Sequence, residues 1–152
     1  ITFCEGQYFW LHNKKLGEVV DFISIHSYPQ WQSLPLDKAI KKTKQDIKEA
    51  KETFFNKPVI MTEFGWATQA NHQMIISEAT EENQAIYLDA VYQHLKEENM
   101  LAYLFEAYDE TWKGSNNPEE QEKHWGVFKE DRTPKKWQKE KPFYELSNLN
   151  ND

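Results

Sequence analysis

Basic charge, cysteine, glycine and long apolar runs are all scarce in this 152-residue chain. Eighteen Lys and Arg face 25 Asp and Glu, a net charge of −7. Nucleic-acid binding rests on neutralising phosphate with basic groups, so that partner class is excluded. Lys38, Lys41, Lys42, Lys44, Lys48 and Lys51 form no basic patch, because Asp37, Asp46, Glu49 and Glu52 are interleaved with them. Lys42–Asp46 and Lys48–Glu52 sit one helical turn apart, the pattern of a solvated helix face. The single cysteine, Cys4, forms no internal disulfide; inside a strand it reads as a core residue rather than a nucleophile. None of the five glycines falls in a phosphate-binding spacing. No apolar stretch approaches the ~20 residues that span a bilayer, so no membrane insertion is expected in this segment. The five histidines lack metal-ligand spacing, and neither metal nor cofactor is predicted.

What the chain does have is aromatic residues: 14%, with Trp10, Trp31, Trp66, Trp112, Trp125 and Trp137 placed mostly at strand ends and connections. Four segments read as short strands. Ile1–Glu5 ends in Glu5. Asp21–Tyr28 ends in His26 and Tyr28, with Pro29 stopping the ladder. Val59–Glu63 ends in Glu63, followed by Phe64-Gly65-Trp66. Met100–Glu106 ends in Glu106 and runs on through Asp109 and Glu110. A buried parallel strand is apolar, and a carboxylate at its carboxyl end is how α/β folds set reactive groups at the mouth of a sheet. For Glu63 taken alone, capping of the next helix is the equal alternative. Four strands with acid or imidazole at one end imply a shared mouth.

Side chains alternate along a strand. One face is predicted to carry Phe22, Ser24, His26 and Tyr28, another Val59, Met61 and Glu63, a third Ala102, Leu104 and Glu106. The opposite faces, Ile23 and Ile25, then Leu101, Tyr103 and Phe105, are expected to pack against helices. Trp66 offers a flat apolar surface of the kind that stacks on a sugar ring, and aromatics around an acidic mouth suggest carbohydrate. At least three of the six tryptophans are expected to be plugs between helices and sheet instead.

Between the strands the spacing predicts a helix over 36–54, with Ser33 and Pro35 at its start and Lys57-Pro58 beyond its end. A second helix starts at Thr80, with Glu81 and Glu82 at the positive end of its dipole, and buries Ala85, Leu88, Val91 and Leu95. Residues 7–19 read as a short helix broken near Gly17. The alternation of strand and helix argues for a parallel sheet with right-handed crossovers. A closed eight-stranded barrel takes about 250 residues, and four strands make half of one. The chain opens directly on a strand without methionine, so it reads as the second half of a longer polypeptide; an intact domain with an open four-stranded sheet is the alternative. Residues 1–146 form the half-barrel and 147–152 a disordered polar tail. With two open sheet edges, the chain alone is expected to be oligomeric or aggregation-prone.

A second constellation follows the last strand: Glu106, Asp109, Glu110, Trp112 and Lys113, then Glu122, His124 and Trp125. Carboxylates and a lysine alternating with aromatics can orient one another and bind hydroxyls, and the lysine keeps neighbouring carboxylates ionised.

Three blocks together resemble glycoside hydrolase family 17, the endo-β-1,3-glucanases (laminarinases) and β-1,3-glucan transferases. They are Asp21–His26 with Pro29, Val59–Trp66, and Phe105–Lys113 with Glu122–Phe128; the similarity runs from Ile1 to about Tyr144, and looks closest to the family's bacterial members. The resemblance implies a (β/α)8 barrel, of which this chain is strands five to eight, and a retaining mechanism with two glutamates. Glu63-Phe64-Gly65-Trp66 matches the Glu-x-Gly-Trp motif of the nucleophile. The acid/base follows the fourth strand, and no segment here corresponds to it. Glu110 with Lys113, and Glu122, match the family's site-organising Glu-x-x-Lys and the Glu before an aromatic-Gly. Ala67-Thr68 stands where plant members have Pro-Ser, and Glu5-Gly6-Gln7 where bacterial members have Glu-Pro-Trp, so subsite preferences do not carry over.

Glu63 is thus the expected nucleophile, and a second acid ~5–5.5 Å away would protonate the leaving oxygen. His26 or Tyr28 would hold the Glu63 rotamer or contact substrate hydroxyls. Glu5 and Glu106 are the strand-end carboxylates that could replace the missing acid, but read as binding or supporting groups. Trp66, Trp112, Glu110, Lys113 and Glu122 complete the predicted site. The partners implied are β-glucan and the missing N-terminal half of the domain, in a secreted, periplasmic or cell-envelope setting. Three readings compete: a hydrolase fragment, a glucan transferase fragment, and a non-catalytic half-barrel that binds glucan through its aromatics.

Overall fold

The computed structural model describes residues 1–71 and 73–141; the predicted tail at 147–152 lies outside them. Strands β1 (Cys4–Gly6), β2 (Ile23–Ser27), β3 (Val59–Phe64) and β4 (Ala102–Leu104) form one parallel sheet in the order β1-β2-β3-β4. All four carboxyl ends therefore lie along one edge, where the polar strand endings gather.

Helices α1 (Gln7–His12) and α2 (Leu16–Val19) follow β1, α3 (Leu36–Thr53) joins β2 to β3, and α4 (Glu81–Glu97) joins β3 to β4. A short α5 (Lys136–Glu140) packs on α4. Helix α3 begins after Pro35, and Thr80 caps α4 by accepting the Asn83 backbone N–H at 3.1 Å. Helix α4 buries Ala85, Leu88, Val91 and Leu95 as its spacing requires. The break in the first helical stretch falls at 13–15 rather than at Gly17. Gly17 is inside α2, where the Phe54 ring occupies the space that a side chain would need.

The core lies between the sheet and the helices, with Ile23, Ile25, Ile47, Met61, Leu88 and Val91 at its centre. Met61 corrects a facing expectation. The register runs Ile25↔Met61 and then His26↔Glu63, so β3 carries one extra residue. That irregularity turns Met61 into the core while Glu63 lies beside His26. The facing of β4 is corrected too: Ala102 and Leu104 pack on the core, and Leu101 and Tyr103 are each 56% exposed. Cys4, expected in the core, is exposed, because β1 is an edge strand. Among the described residues no helix is long and apolar enough to cross a membrane.

Candidate active site

Glu63 stands one residue from the end of β3, with its side chain 36% exposed. Both residues expected to hold it reach the same oxygen. The Tyr28 hydroxyl donates to Glu63 Oε2 at 2.8 Å, and His26 Nδ1 lies 3.4 Å from that atom. His26 arrives through the ladder, as the register partner of Glu63. Tyr28 is locked by ring packing, edge-on to Phe105 (centroids 5.8 Å apart) and to Trp125 (5.1 Å). Burial pushes the Tyr28 phenol well above its ordinary range, and its bond to the Glu63 carboxylate adds to it. The phenol therefore stays a donor to the carboxylate.

The segment after β4 supplies a second cluster. Lys113 Nζ bonds Glu106 Oε2 at 2.9 Å and also pairs with Glu110. The same ammonium lies 4.6 Å from the centroid of the Phe105 ring. One cation between two carboxylates neutralises only one of them, so the more buried acid keeps a proton. Burial is the main cause that pushes Glu106 up to about 7, with Glu110 adding to it and Lys113 opposing. Glu110 is held below its usual range, chiefly by its bond from Lys113. Burial opposes the Lys113 charge, but the two glutamates outweigh it and raise its pKa. Burial also raises Glu122, with Lys113 pulling it back.

Removing the Glu110 charge frees Lys113 for Glu106 alone. Carbon-13 NMR of the Glu106 carboxyl is expected to show titration near neutrality, moving toward the ordinary glutamate range in Glu110→Gln. Because the folded pKa lies above the unfolded one, Glu106 binds its proton longer in the folded state, and its contribution to stability is lost as pH rises from the ordinary glutamate value of 4.5 to about 7. A Glu106 that titrates near 4.5 in the parent, or is unmoved by Glu110→Gln, contradicts this account.

Glu5 lines a hollow of about 300 Å³ together with His26, Tyr28 and Trp31. Trp112 is 74% exposed, with the Lys113 ammonium 5.8 Å from its ring centroid. Trp66 corrects the sugar-stacking expectation: it is fully buried, tilted against Tyr87 at 5.1 Å, and its indole N–H donates to the Glu78 carbonyl at 3.0 Å. The residue after Gly65 turns inward under α4, so its apolar surface goes to the core.

Sequence reasoning missed the buried polar residues beneath these side chains. Gln30 bonds the Ala67 peptide on both sides, and Gln84 donates to the carbonyls of Trp66, Trp125 and Gly126. Lys135 Nζ bonds Asp109 Oδ1 and Thr68 Oγ1, each at 2.7 Å.

Comparison with known proteins gives this geometry its setting. Residues 1–126 match the model of the BtgE/BtgC glycoside hydrolase domain. A glucan 1,3-beta-glucosidase of Arthroderma benhamiae is 28% identical over 128 residues, 76% of this chain and 41% of its own. The glycoside hydrolase family 17 β-1,3-glucanosyltransferase of Rhizomucor miehei superposes with a TM-score of 0.76 at 26% identity, covering 88% of this chain and 47% of that one. An active-site mutant of that enzyme in complex with laminaritriose matches over the same shares at 25%. An endo-laminarinase from Formosa Hel1_33_131 shares the fold, with a TM-score of 0.74 at 24% identity over 99% of this chain and 47% of its own. The chain thus spans less than half the length of these relatives, and its four parallel strands are part of a TIM-barrel fold. With a single family model covering β1 to β4 and the loops at their carboxyl ends, the chain belongs to the BtgE/BtgC glycoside hydrolase family.

Proposed function

We propose that this chain is the nucleophile-bearing, C-terminal half of a retaining enzyme that acts on β-1,3-glucan. The observation that carries the reading is the Glu63 carboxylate at the mouth of the sheet, held by Tyr28 at 2.8 Å with His26 beside it. A carboxylate fixed by a hydroxyl donor keeps one rotamer, as attack on an anomeric carbon requires. Glu63 forms the glycosyl ester while a second carboxylic acid, ~5–5.5 Å away, protonates the departing oxygen and later serves as base. That acid comes from the preceding half of the same domain. Glu106 is unsuited to the role, because one carboxyl oxygen is buried and the other is bonded to Lys113. Glu5 and Trp112 flank the mouth and contact glucan hydroxyls and ring faces.

Similarity to a β-1,3-glucanosyltransferase supports transfer to a sugar acceptor as strongly as hydrolysis. Family membership also supports a secreted or cell-envelope setting. The purified chain is expected to release no reducing sugar from laminarin. Joined to the four preceding strands it should do so, and Glu63→Gln should abolish the release. Sugar release by the chain alone, lost in Glu63→Gln, would locate the acid within these residues and overturn the division of labour. Product analysis at high oligosaccharide concentration separates transfer from hydrolysis. Laminarin affinity without any turnover in the joined protein would favour a non-catalytic binding module.

A further inference from the structure

The ladder between β2 and β3 ends at Ser27↔Phe64. Beyond that point the two chains diverge, β2 into the 3-10 turn Pro29–Gln32 and β3 into Gly65–Thr68. The gap is closed by one side chain. Gln30 Nε2 donates to the Ala67 carbonyl at 3.1 Å, and Gln30 Oε1 accepts the Ala67 N–H at 2.7 Å. The amide thus reproduces a backbone rung, built from a side chain. Gln30 is 1% exposed and Ala67 is fully buried. From the other side Gln84 donates to the preceding carbonyl, that of Trp66, at 2.8 Å.

Gln30 lies two residues after Tyr28, and Ala67 four after Glu63. The rung therefore ties together the two chains whose side chains meet at 2.8 Å. An apolar residue here would leave the buried Ala67 N–H and carbonyl unpaired. A doubly bonded amide adds one fixed register between two loops. We propose that Gln30 is a positioning residue that sets the distance between the Tyr28 hydroxyl and the Glu63 carboxylate by bridging their loops. The inference rests on Glu63 being the nucleophile, and the test separates the two.

The probe is 2,4-dinitrophenyl 2-deoxy-2-fluoro-β-laminaribioside. Glu63 oxygen bonds the anomeric carbon, the aryl C–O bond breaks, and its electron pair leaves on dinitrophenolate, which needs no proton donor. Labelling of the chain joined to the four preceding strands is followed by mass. Gln30→Met is expected to slow labelling about tenfold at every pH. Gln30→Glu should be slowed similarly at about pH 8, where a carboxylate cannot donate to the Ala67 carbonyl, and recover toward the parent rate at about pH 5, as the carboxyl regains its proton. Comparison with the parent at each pH cancels any pH effect common to both proteins. Nitration by tetranitromethane needs no nucleophilic glutamate and attacks phenolate. The ratio of nitration at Tyr28 to that at the 71% exposed Tyr8 should rise several-fold in Gln30→Met. Variants labelled at the parent rate, Gln30→Glu without recovery at low pH, or an unchanged nitration ratio overturns the bridging role. A parent that nitrates as expected but takes no label overturns the nucleophile and leaves the bridge standing.

Discussion

Gly65→Ala is expected to destabilise the fold by more than about 3 kcal/mol and to remove any glycosylation of Glu63. A methyl at Gly65 would overlap the Phe105 carbonyl oxygen and press on the Trp125 ring. Neither neighbour can retreat. The Phe105 N–H bonds the Phe64 carbonyl at 2.8 Å, which continues the β3–β4 ladder, and Trp125 packs on Tyr28 and Phe105 and is 1% exposed. The overlap must therefore move a strand end or break a ring cluster, and both routes displace Tyr28 from Glu63. Thermal melting at matched protein concentration, with the fluoro-sugar label as the second readout, checks this. A Gly65→Ala chain that melts with the parent and takes the label at the parent rate would show that the β3–β4 contact is softer than its packing implies.

The same glycine marks how far the sequence could be read. The strand and helix order, the parallel sheet and the gathering of Glu63, His26, Tyr28 and Glu106 at one end follow from apolar runs stopped by polar groups, and all of them are present. Period-two counting fails where it assumes an unbroken ladder. The extra residue in β3 turned Met61 into the core, and the faces of β4 exchanged, because register depends on partners absent from local spacing. Trp66 shows a related limit: an aromatic after a strand end serves a sugar or a helix equally well until the turn at Gly65 is known, and here α4 takes it. Trp112, farther along the loop that follows β4, stays exposed. Gln30, Gln84 and Lys135 gave no signal, since an amide or ammonium in a polar segment has the composition of a solvated loop. Their importance comes from burial and from bonds to peptide groups remote in sequence.

Lys135 carries the other large effect. Its side chain is 2% exposed and joins Asp109 and Thr68, which tether the loops following β4 and β3. Burial holds its ammonium below the ordinary lysine range while Asp109 pulls it back, and burial raises Asp109 while Lys135 opposes. The pair is thus weakly favoured as a whole, yet each member depends on the other. Lys135→Met is expected to cost about 3 kcal/mol at slightly alkaline pH, because it leaves the Asp109 carboxylate buried without a cation. Without its cation Asp109 rises further above its unfolded value and keeps its proton longer in the folded state. The stability of Lys135→Met should then fall as pH rises from about 4 toward neutrality, so its deficit is smallest in acid. Adding Asp109→Asn removes the stranded charge, and the double variant should be more stable than Lys135→Met at alkaline pH. Thermal melts of the four proteins across that pH range supply the measurement. A deficit independent of pH, or a double variant that loses the sum of both single losses, would mean that Lys135 acts through its Thr68 and carbonyl bonds and the ion pair adds nothing.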